Sequence, residues 1–372
     1  MRAIATSAFS GERTARPSIL TASLCFLLLA TGCSQAPKPV LEIQFFPALP
    51  ETPRLQFLTT ISDEEDVGAK SSAFREFVVG DTEGPMSLGR PWDVAHEKGK
   101  LYVVDRGLGQ VVIIDLVDHR FDLFPPSAAE ALRGPFGIFV SDAGYKYVAD
   151  RERSQILVFD EKNVLHRVYR GEGRFAPLDV AVNGDRLYVC DVKDKEIEVL
   201  DKASGETVAT IGGGRSEEEG PLSWPTHLSI GADGWIYVTD LLDFHVQVYD
   251  AEGRFVRSIG EPGDFPGAMP RPKGIAVDRE KNLYVVDSAF EMVQIFEAET
   301  GKVLMPLGKF GPNPGSHWLP TGIDIDYENL EFFSRYLDED FRPEYLVYVT
   351  NQAGPNKINV YAFGQYIGSG AR

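Results

Sequence analysis

Hydrophobic and polar residues alternate along most of this chain in short runs, which are separated by turn-rich groups. In residues 272–308 the apolar runs IAV, LYVV, VQIF and VLMPL stand between the groups DREKN, DSAFE and EAETG. A period of two residues is typical of short strands with one buried face. This segment therefore predicts four short β-strands.

The same pattern recurs six times, and two markers identify each copy. The copies open with a proline, at intervals of 44, 42, 48, 47 and 48 residues. The opening prolines are Pro91, Pro135, Pro177, Pro225, Pro272 and Pro320. The second strand of each copy ends in a marker residue, which is Asp105, Asp150, Asp191, Asp240, Asp287 or Asn351. Repeats of about 40 to 50 residues with four strands are typical of propeller blades. The sequence therefore predicts an all-β fold, a six-bladed β-propeller of four-stranded blades.

The last copy is one strand short. Its strands are predicted at 320–326, 345–351 and 357–363, after which only nine residues remain. Residues 54–61, RLQFLTTI, form an isolated strand pattern before the first copy. We expect this N-terminal strand to complete the last blade and close the ring, because closure removes exposed sheet edges. The predicted domain spans 54–366 and is followed by a C-terminal tail, 367–372.

Three insertions interrupt the strand pattern and predict short helices. Residues 71–79 carry apolar side chains at helical spacing, and 127–133 begin with the S-x-x-E arrangement of a capping box. The third insertion, 327–344, places Leu330, Phe333 and Leu337 on one helical face. We expect these apolar faces to pack on the propeller.

Strings such as RPKGIAVDREKNLYVVD and GPFGIFVSDAGYKYVADRERSQILVFD resemble the NHL repeat. That repeat consists of a proline, one residue, a glycine, an apolar pair, a turn, a tyrosine-containing strand that ends in Asp, and an apolar strand. The resemblance covers residues 54–363 and implies a propeller fold without specifying an activity. In the first, third and fourth copies Asp93, Asp179 and His227 replace the glycine.

The N-terminus has the features of an export signal. Arg2, Arg13 and Arg16 precede an apolar run at 19–30, which is too short to span a membrane. The segment LLLATGCS resembles a bacterial lipobox, which implies a lipoprotein signal peptide at 1–32 and lipidation of Cys33. Ordinary cleavage and an uncleaved anchor are the alternatives. The proline-rich residues 33–53 are predicted to be a semi-rigid tether. The resemblance places the protein in the bacterial cell envelope, anchored by lipid to a membrane.

Charge and cysteine content exclude some functions. Lys and Arg number 37 against 55 Asp and Glu, a net charge of −18, which argues against a nucleic-acid partner because phosphates attract clustered cations. Cys190 stands where other copies have Val, Ala or Thr, so we expect a small buried apolar residue and no structural disulfide. We expect a monomer.

The repeat geometry predicts one candidate site. In an up-and-down blade, the loops before the first strand and the turns after the second strand lie on one face. The candidate channel-mouth residues on that face are Asp93, Asp179, His227, Arg106 and Arg151. Two carboxylates and an imidazole could ligate a divalent metal or act as acid and base. Polar channel rims are ordinary in propellers, however, and we assign no cofactor. We expect the marker aspartates to bond the following turn, and Trp92, Phe136, Trp224 and Trp318 to wedge between blades.

Two functions remain open. The first is a binding or scaffold module for an envelope protein or a glycan, which the lipobox and the complete ring favour. The alternative is a propeller enzyme of lyase or lactonase type that uses the channel-mouth residues. VADRERSQILVF around Arg151 is similar to a segment of peptidylglycine amidating lyases, which use a channel arginine with zinc-bound histidines. Only His227 stands at a strand-start position here. If the tether joins the propeller at the face opposite the opening prolines, the binding rim points away from the membrane.

Overall fold

The computed structural model describes residues 43–68, 85–125, 132–170, 175–214 and 216–368. These residues form six antiparallel sheets. The first strands of adjacent sheets contact one another around a closed ring. The predicted six-bladed propeller is therefore confirmed.

The first three blades follow one another along the chain, each with its first strand innermost. Blade 1 consists of β3 (Pro91–Glu97), β4 (Lys100–Asp105), β5 (Gln110–Asp115) and β6 (Arg120–Phe124). Blade 2 consists of β7 (Pro135–Val140), β8 (Lys146–Asp150), β9 (Gln155–Phe159) and β10 (Leu165–Arg170). Blade 3 consists of β11 (Pro177–Asn183), β12 (Arg186–Asp191), β13 (Glu196–Asp201) and β14 (Thr207–Ile211).

The remaining three blades complete the ring. Blade 4 consists of β15 (Pro225–Ile230), β16 (Ile236–Asp240), β17 (His245–Tyr249) and β18 (Phe255–Ile259). Blade 5 consists of β19 (Pro272–Val277), β20 (Asn282–Asp287), β21 (Met292–Glu297) and β22 (Val303–Leu307). Blade 6 consists of β23 (Pro320–Asp326), β24 (Phe341–Asn351), β25 (Ile358–Tyr366) and two N-terminal strands, β1 (Gln44–Phe46) and β2 (Leu55–Ile61).

The N-terminal strand closes the ring as predicted. β2 pairs antiparallel with β25, with Leu55 opposite Phe363 and Ile61 opposite Ile358. Its side chains are almost completely buried, so this strand supplies both the missing edge and part of the apolar core of blade 6.

The strand β1 lies inside the segment 33–53, where the sequence predicts a tether. It pairs antiparallel with β2, and Gln44 Nε2 donates a hydrogen bond to the carbonyl of Pro314, 3.1 Å away, in the loop before β23. Three residues are too few for a period-2 pattern to be recognised, so the sequence does not reveal this strand. Traced from β2 toward the N-terminus, the chain therefore returns along the outer edge of blade 6 to the face of the opening prolines. The expectation that the tether joins at the opposite face is therefore wrong for the described part of that segment.

The core lies between blades rather than within one sheet. Successive residues of a strand point to opposite faces, and in β4 both faces are buried. Leu101 and Val103 pack in a cluster shared with blade 6, whereas Tyr102 and Val104 pack in one shared with blade 2. Each fully buried side chain of this size stabilises the fold by about 1.5–3 kcal/mol.

The helical insertion at 327–344 is confirmed. It contains a short helix, α1 (Leu330–Phe333), followed by a 3₁₀ helix at Ser334–Tyr336. The buried Gln56 of β2 fixes it, because its Nε2 donates to the carbonyl of Tyr336 (2.9 Å) and its Oε1 accepts from the N–H of Asp338 (3.1 Å). Two further 3₁₀ helices lie at Glu64–Val67 and Glu217–Glu219. The insertion predicted at 71–79 lies outside the described residues, as does most of the one at 127–133.

Cys190 is buried in β12 without a disulfide, as the sequence predicts. Cys33 and the segment 1–32 lie outside the described residues. Within the described ranges, no helix is long and apolar enough to cross a membrane.

Candidate functional site

The marker residues hold the loops on one face of the propeller. Asp105 accepts hydrogen bonds from the N–H groups of Gly107 (2.8 Å) and Leu108 (3.1 Å) in the following turn, and of Gly89 (2.6 Å) and Arg90 (2.9 Å) before the first strand. Four other markers bond the same two segments of their own blades: Asp150, Asp191, Asp240 and Asp287. The predicted structural role is confirmed. We call the face that carries the opening prolines and marker residues the proline face, and the opposite face the cavity face.

The first strands line the centre of the ring, and their third residues approach one another closely. These residues are Asp93, Gly137, Asp179, His227, Gly274 and Gly322. A Cβ atom on Gly137 would lie 2.3 Å from Oδ1 of Asp179, and one on Gly322 would lie 2.7 Å from the Cα of Asp93. Glycine is required at these two positions because the neighbouring strand leaves no room for a side chain.

The two aspartates of this set join adjacent blades. Oδ2 of Asp93 accepts a hydrogen bond from the N–H of Ile138 on blade 2, at 2.9 Å. Asp179 accepts from the N–H of Leu228 on blade 4 (2.9 Å) and from its own neighbour Val180 (2.8 Å). The carboxyl groups therefore satisfy buried backbone donors as well as facing the centre of the ring.

A cavity of about 550 Å³ extends from this level toward the cavity face. Asp93, Asp179 and His227 are buried and line its inner end, whereas Lys98 and Asp142, which also line it, are exposed. Exposure increases along the first strands toward the turns that connect them to the second strands. The cavity therefore opens on the cavity face.

His227 is the least satisfied polar group at the inner end. Its side chain is 4% exposed, and neither ring nitrogen has a hydrogen-bond partner. Its backbone N–H donates to Oγ1 of Thr239, 3.1 Å away. Burial, together with the positive charge of Lys273, lowers the pKa of the imidazole to about 3. The ring is therefore neutral at physiological pH and has one acceptor and one donor free.

The carboxyl groups at the inner end hold protons more tightly than usual. Burial raises the pKa of Asp179 to about 7, although its backbone hydrogen bonds act in the opposite direction. Burial and the nearby Asp179 raise the pKa of Asp93 well above its usual value. Near neutral pH the pair is therefore able to take up or release a proton.

The wall of the cavity carries a second charged group. His96 Nδ1 lies 2.7 Å from Oδ2 of Asp324, and its Nε2 lies 3.6 Å from Oδ1 of Asp326. Burial disfavours the imidazolium, but Asp324 and Asp326 outweigh it and raise the pKa of His96 to about 9. His96 is therefore a cation, and its charge is paired with the carboxylates of Asp324 and Asp326.

The predicted arginines lie on the proline face, in a cluster with two aromatic rings. The guanidinium carbon of Arg106 lies 4.0 Å from the ring centre of Phe136 and 4.8 Å from that of Trp92. Arg151 lies 5.7 Å from Phe136, and Nζ of Lys273 lies 4.3 Å from Trp92. The two rings are in edge-to-face contact at 5.3 Å. We call these five residues the cation cluster.

The cations of this cluster repel one another. Burial, Arg271 and Arg106 lower the pKa of Lys273 to about 8. Burial, Arg90 and Arg151 lower the pKa of Arg106. Among the described residues, no carboxylate lies within ion-pair distance of Arg106, Arg151 or Lys273. The cluster is therefore a positive surface on an acidic protein.

The structure thus divides the five predicted site residues into two groups. Asp93, Asp179 and His227 come together at the inner end of the cavity. Arg106 and Arg151 come together on the proline face and do not line the cavity. Trp92 and Phe136 stand one position nearer the proline face than the buried third residues of the first strands. The guanidinium groups of the arginines pack on these two aromatic side chains and therefore lie on the proline face.

Sequence reasoning missed Lys273 and the pairing of His96 with Asp324. Lys273 follows Pro272 as Trp92 follows Pro91, so its place in the repeat was the available signal. No comparable signal indicates the His96 pair, which joins the neighbouring blades 1 and 6 where the ring closes. In the described ranges, no three His, Cys, Asp or Glu side chains are arranged to hold a metal ion.

Five four-stranded sheets and the five-stranded sheet of blade 6, arranged around a central cavity, define a six-bladed β-propeller. Comparison with known proteins supports this class. A family model described as "6-bladed beta-propeller" matches residues 226–363. The protein brain tumor of Drosophila melanogaster is 29% identical over 141 residues, which are 37% of this chain and 13% of that protein. The chain therefore matches only a small part of that relative, and the two matches support a propeller family with NHL-type repeats.

Solved structures resemble this chain in fold. A protein of unknown function from Bacteroides thetaiotaomicron superposes with a TM-score of 0.57 and 16% identity, covering 84% of this chain and 76% of that one. A streptogramin B lyase superposes with a TM-score of 0.51 and 14% identity, covering 75% and 86%. At this identity the likeness concerns the fold alone.

Proposed function

We propose that this protein is a monomeric binding module of the bacterial cell envelope, anchored by a lipid on Cys33, that docks another envelope protein on its proline face. The observation that carries this proposal is the cation cluster, a positive and aromatic surface on a chain with a net charge of −18. Arginine and aromatic side chains are enriched at protein interfaces.

The loops around the cluster add apolar surface to the same face. Phe310 is 59% exposed and lies in edge-to-face contact with Trp318, with ring centres 5.4 Å apart. Among the described residues, the exposed large apolar side chains in loops of the proline face are Leu108, Leu242, Phe244, Phe265, Phe310 and Trp318. Such a combination fits a partner that has acidic side chains around an apolar centre. Nucleic acid remains disfavoured, because the whole chain repels phosphates.

The anchor is supported by the lipobox-like segment. Replacing Cys33 with Ala should release the protein from the membrane fraction and abolish incorporation of labelled fatty acid. Retention of label in that variant would refute the anchor. It would leave the docking surface open to its own test.

The docking surface is tested by capture from solubilised envelope with the full-length protein as bait. Arg106→Glu with Arg151→Glu should abolish capture of a protein partner. The matched control is Lys162→Glu with Lys302→Glu, which changes the net charge equally at exposed positions away from the proline face. Similarly, Phe310→Ser should weaken capture more than Val164→Ser, which is 54% exposed in the turn between β9 and β10. Equal loss in variants and controls refutes the docking surface, and capture of a glycan instead of a protein refutes the choice of partner.

One observation favours an enzyme as the second candidate. A neutral unpaired imidazole and a carboxyl group with a pKa of about 7 stand together at the inner end of the cavity, and such a pair suits proton transfer. The streptogramin B lyase shows that a protein of this fold acts as a lyase. Turnover of a lyase or lactone substrate that His227→Ala abolishes would support this candidate. Turnover that survives the substitution would refute it.

A further inference from the structure

We propose that the inner end of the cavity binds the primary ammonium group of a small ligand, which donates hydrogen bonds to Asp93, Asp179 and His227. This site lies one residue further along the first strands than the cation cluster, and it opens into the cavity rather than onto the proline face. The proposal therefore goes beyond the docking function and does not depend on it.

The imidazole of His227 shows that the inner end is incomplete without a ligand. A buried polar group without a partner costs about 1–3 kcal/mol relative to one that is hydrogen-bonded. Both ring nitrogens of His227 lack a protein partner although the side chain is buried and lines the cavity. Because the ring is neutral, one nitrogen accepts a hydrogen bond from a donor that enters the cavity.

The two carboxyl groups supply the charge. Asp93 and Asp179 lie on either side of Gly137, and each is bonded only to backbone N–H groups. In the described structure no cationic side chain lies within ion-pair distance of either of them. A buried carboxylate without a cation is costly, and a nearby positive charge favours the ionised form. A cation that enters the cavity therefore relieves an unfavourable arrangement that the chain does not relieve itself.

The remaining lining favours the same sign of charge. Apart from Asp93 and Asp179, four carboxyl groups line the cavity, those of Glu97, Asp142, Asp324 and Glu328, against the three basic side chains of His96, Lys98 and Arg279. His96 is already paired with Asp324. The cavity is therefore net negative, which attracts cations and repels anions.

The geometry selects a primary ammonium from among the cations. An ammonium group has three N–H donors, which match two carboxylates and one imidazole nitrogen. A trimethylammonium group has no donor and leaves His227 unpaired. The walls next to the inner end carry the small apolar residues Ala95, Ala181 and Ala276, which leave room for an apolar body. A cavity of about 550 Å³ accommodates a small molecule.

The first test compares three probes that share a cyclohexyl group and differ in the charged group, on the unmodified full-length protein. Calorimetry should detect binding of cyclohexylamine but not of cyclohexyltrimethylammonium or cyclohexanecarboxylate. Binding of the amine should release protons to the buffer near pH 6–7, because the ammonium ionises carboxyl groups that hold a proton in the free protein. Equal binding of the amine and its trimethyl analogue overturns the proposal, as does absence of amine binding.

The second test locates the site. Asp179→Asn, Asp93→Asn and His227→Gln should each weaken amine binding about ten- to hundredfold, as expected for loss of one hydrogen bond to a charged group. Lys302→Gln, at an exposed position outside both the cavity and the cation cluster, should leave amine binding unchanged. Thermal melting identifies any variant that fails to fold, and the three-probe comparison does not rely on variants. Undiminished amine binding in all three folded cavity variants overturns the proposal, whereas failed partner capture affects only the docking function.

Discussion

The carboxylate of Asp179 on blade 3 accepts a hydrogen bond from the backbone N–H of Leu228 on blade 4, across a distance of 2.9 Å. The same side chain lines the cavity. One residue thus joins two blades and contributes to the candidate ligand site. Its protonation state therefore affects both the stability of the fold and ligand binding.

Asp179→Asn should change how stability depends on pH. The folded-state pKa of about 7 lies above the unfolded value of about 3.9. The carboxyl group therefore contributes stability that is present below pH 4 and lost as pH rises through 7. Because asparagine does not titrate, the free energy of unfolding of the variant relative to the parent should rise by roughly 2–4 kcal/mol from pH 4 to pH 8. Chemical denaturation at both pH values measures it, and a constant difference would contradict the assignment.

Gly137→Ala should destabilise the propeller strongly. The new Cβ would lie 2.3 Å from Oδ1 and 2.7 Å from the Cα of Asp179, so the backbones of two blades must separate. We expect a loss of about 3 kcal/mol. Gly109→Ala is the control, because Gly109 has φ of 66° but no atom near its Cβ position, and we expect a loss of about 1 kcal/mol. Equal losses in urea denaturation would show that the ring tolerates a side chain at Gly137.

Removal of β2 should open the ring. A chain that starts at Asp63 lacks the buried side chains of Leu55, Phe57, Leu58 and Ile61 and exposes the edge of β25. It should aggregate or lose cooperative unfolding. A chain that starts at Thr52 lacks β1 but keeps β2, and it should unfold cooperatively. Calorimetry distinguishes these outcomes, and a chain from Asp63 that melts like the parent would refute closure by β2.

Asp105→Ala should cost more stability than an exposed aspartate does. Four backbone N–H groups lose their acceptor, and we expect a loss of about 3–5 kcal/mol. Asp122→Ala is the control, because Asp122 forms its ion pair with Arg120 at the surface and should cost less than about 1 kcal/mol. Denaturant midpoints of the two variants give the comparison. Similar midpoints would mean that the marker residues are dispensable.

The repeat made the propeller predictable, because an opening proline and a marker residue, Asp in five blades and Asn351 in the sixth, occur once in every blade. The strand at 54–61 was also predictable, since the last copy had too few residues after Phe363 to form a fourth strand. The direction of the cavity was not predictable. It depends on the sizes of side chains that follow the prolines, such as Trp92 and Phe136, and on the contacts that they make between adjacent blades. Lys273 and β1 were also not predicted. The place of Lys273 in the cation cluster depends on a contact between residues of different blades, whereas β1 is only three residues long.

The short strand β1 has a mechanical consequence if the chain is anchored through Cys33. A pull on the N-terminus reaches Gln44 first and separates three residue pairs of β1 from β2 one after another. Release of β1 would free the chain up to Arg54, about 35 Å of slack at full extension, before any force reaches β2. Under load β1 would then detach before β2, so that the ring stays closed.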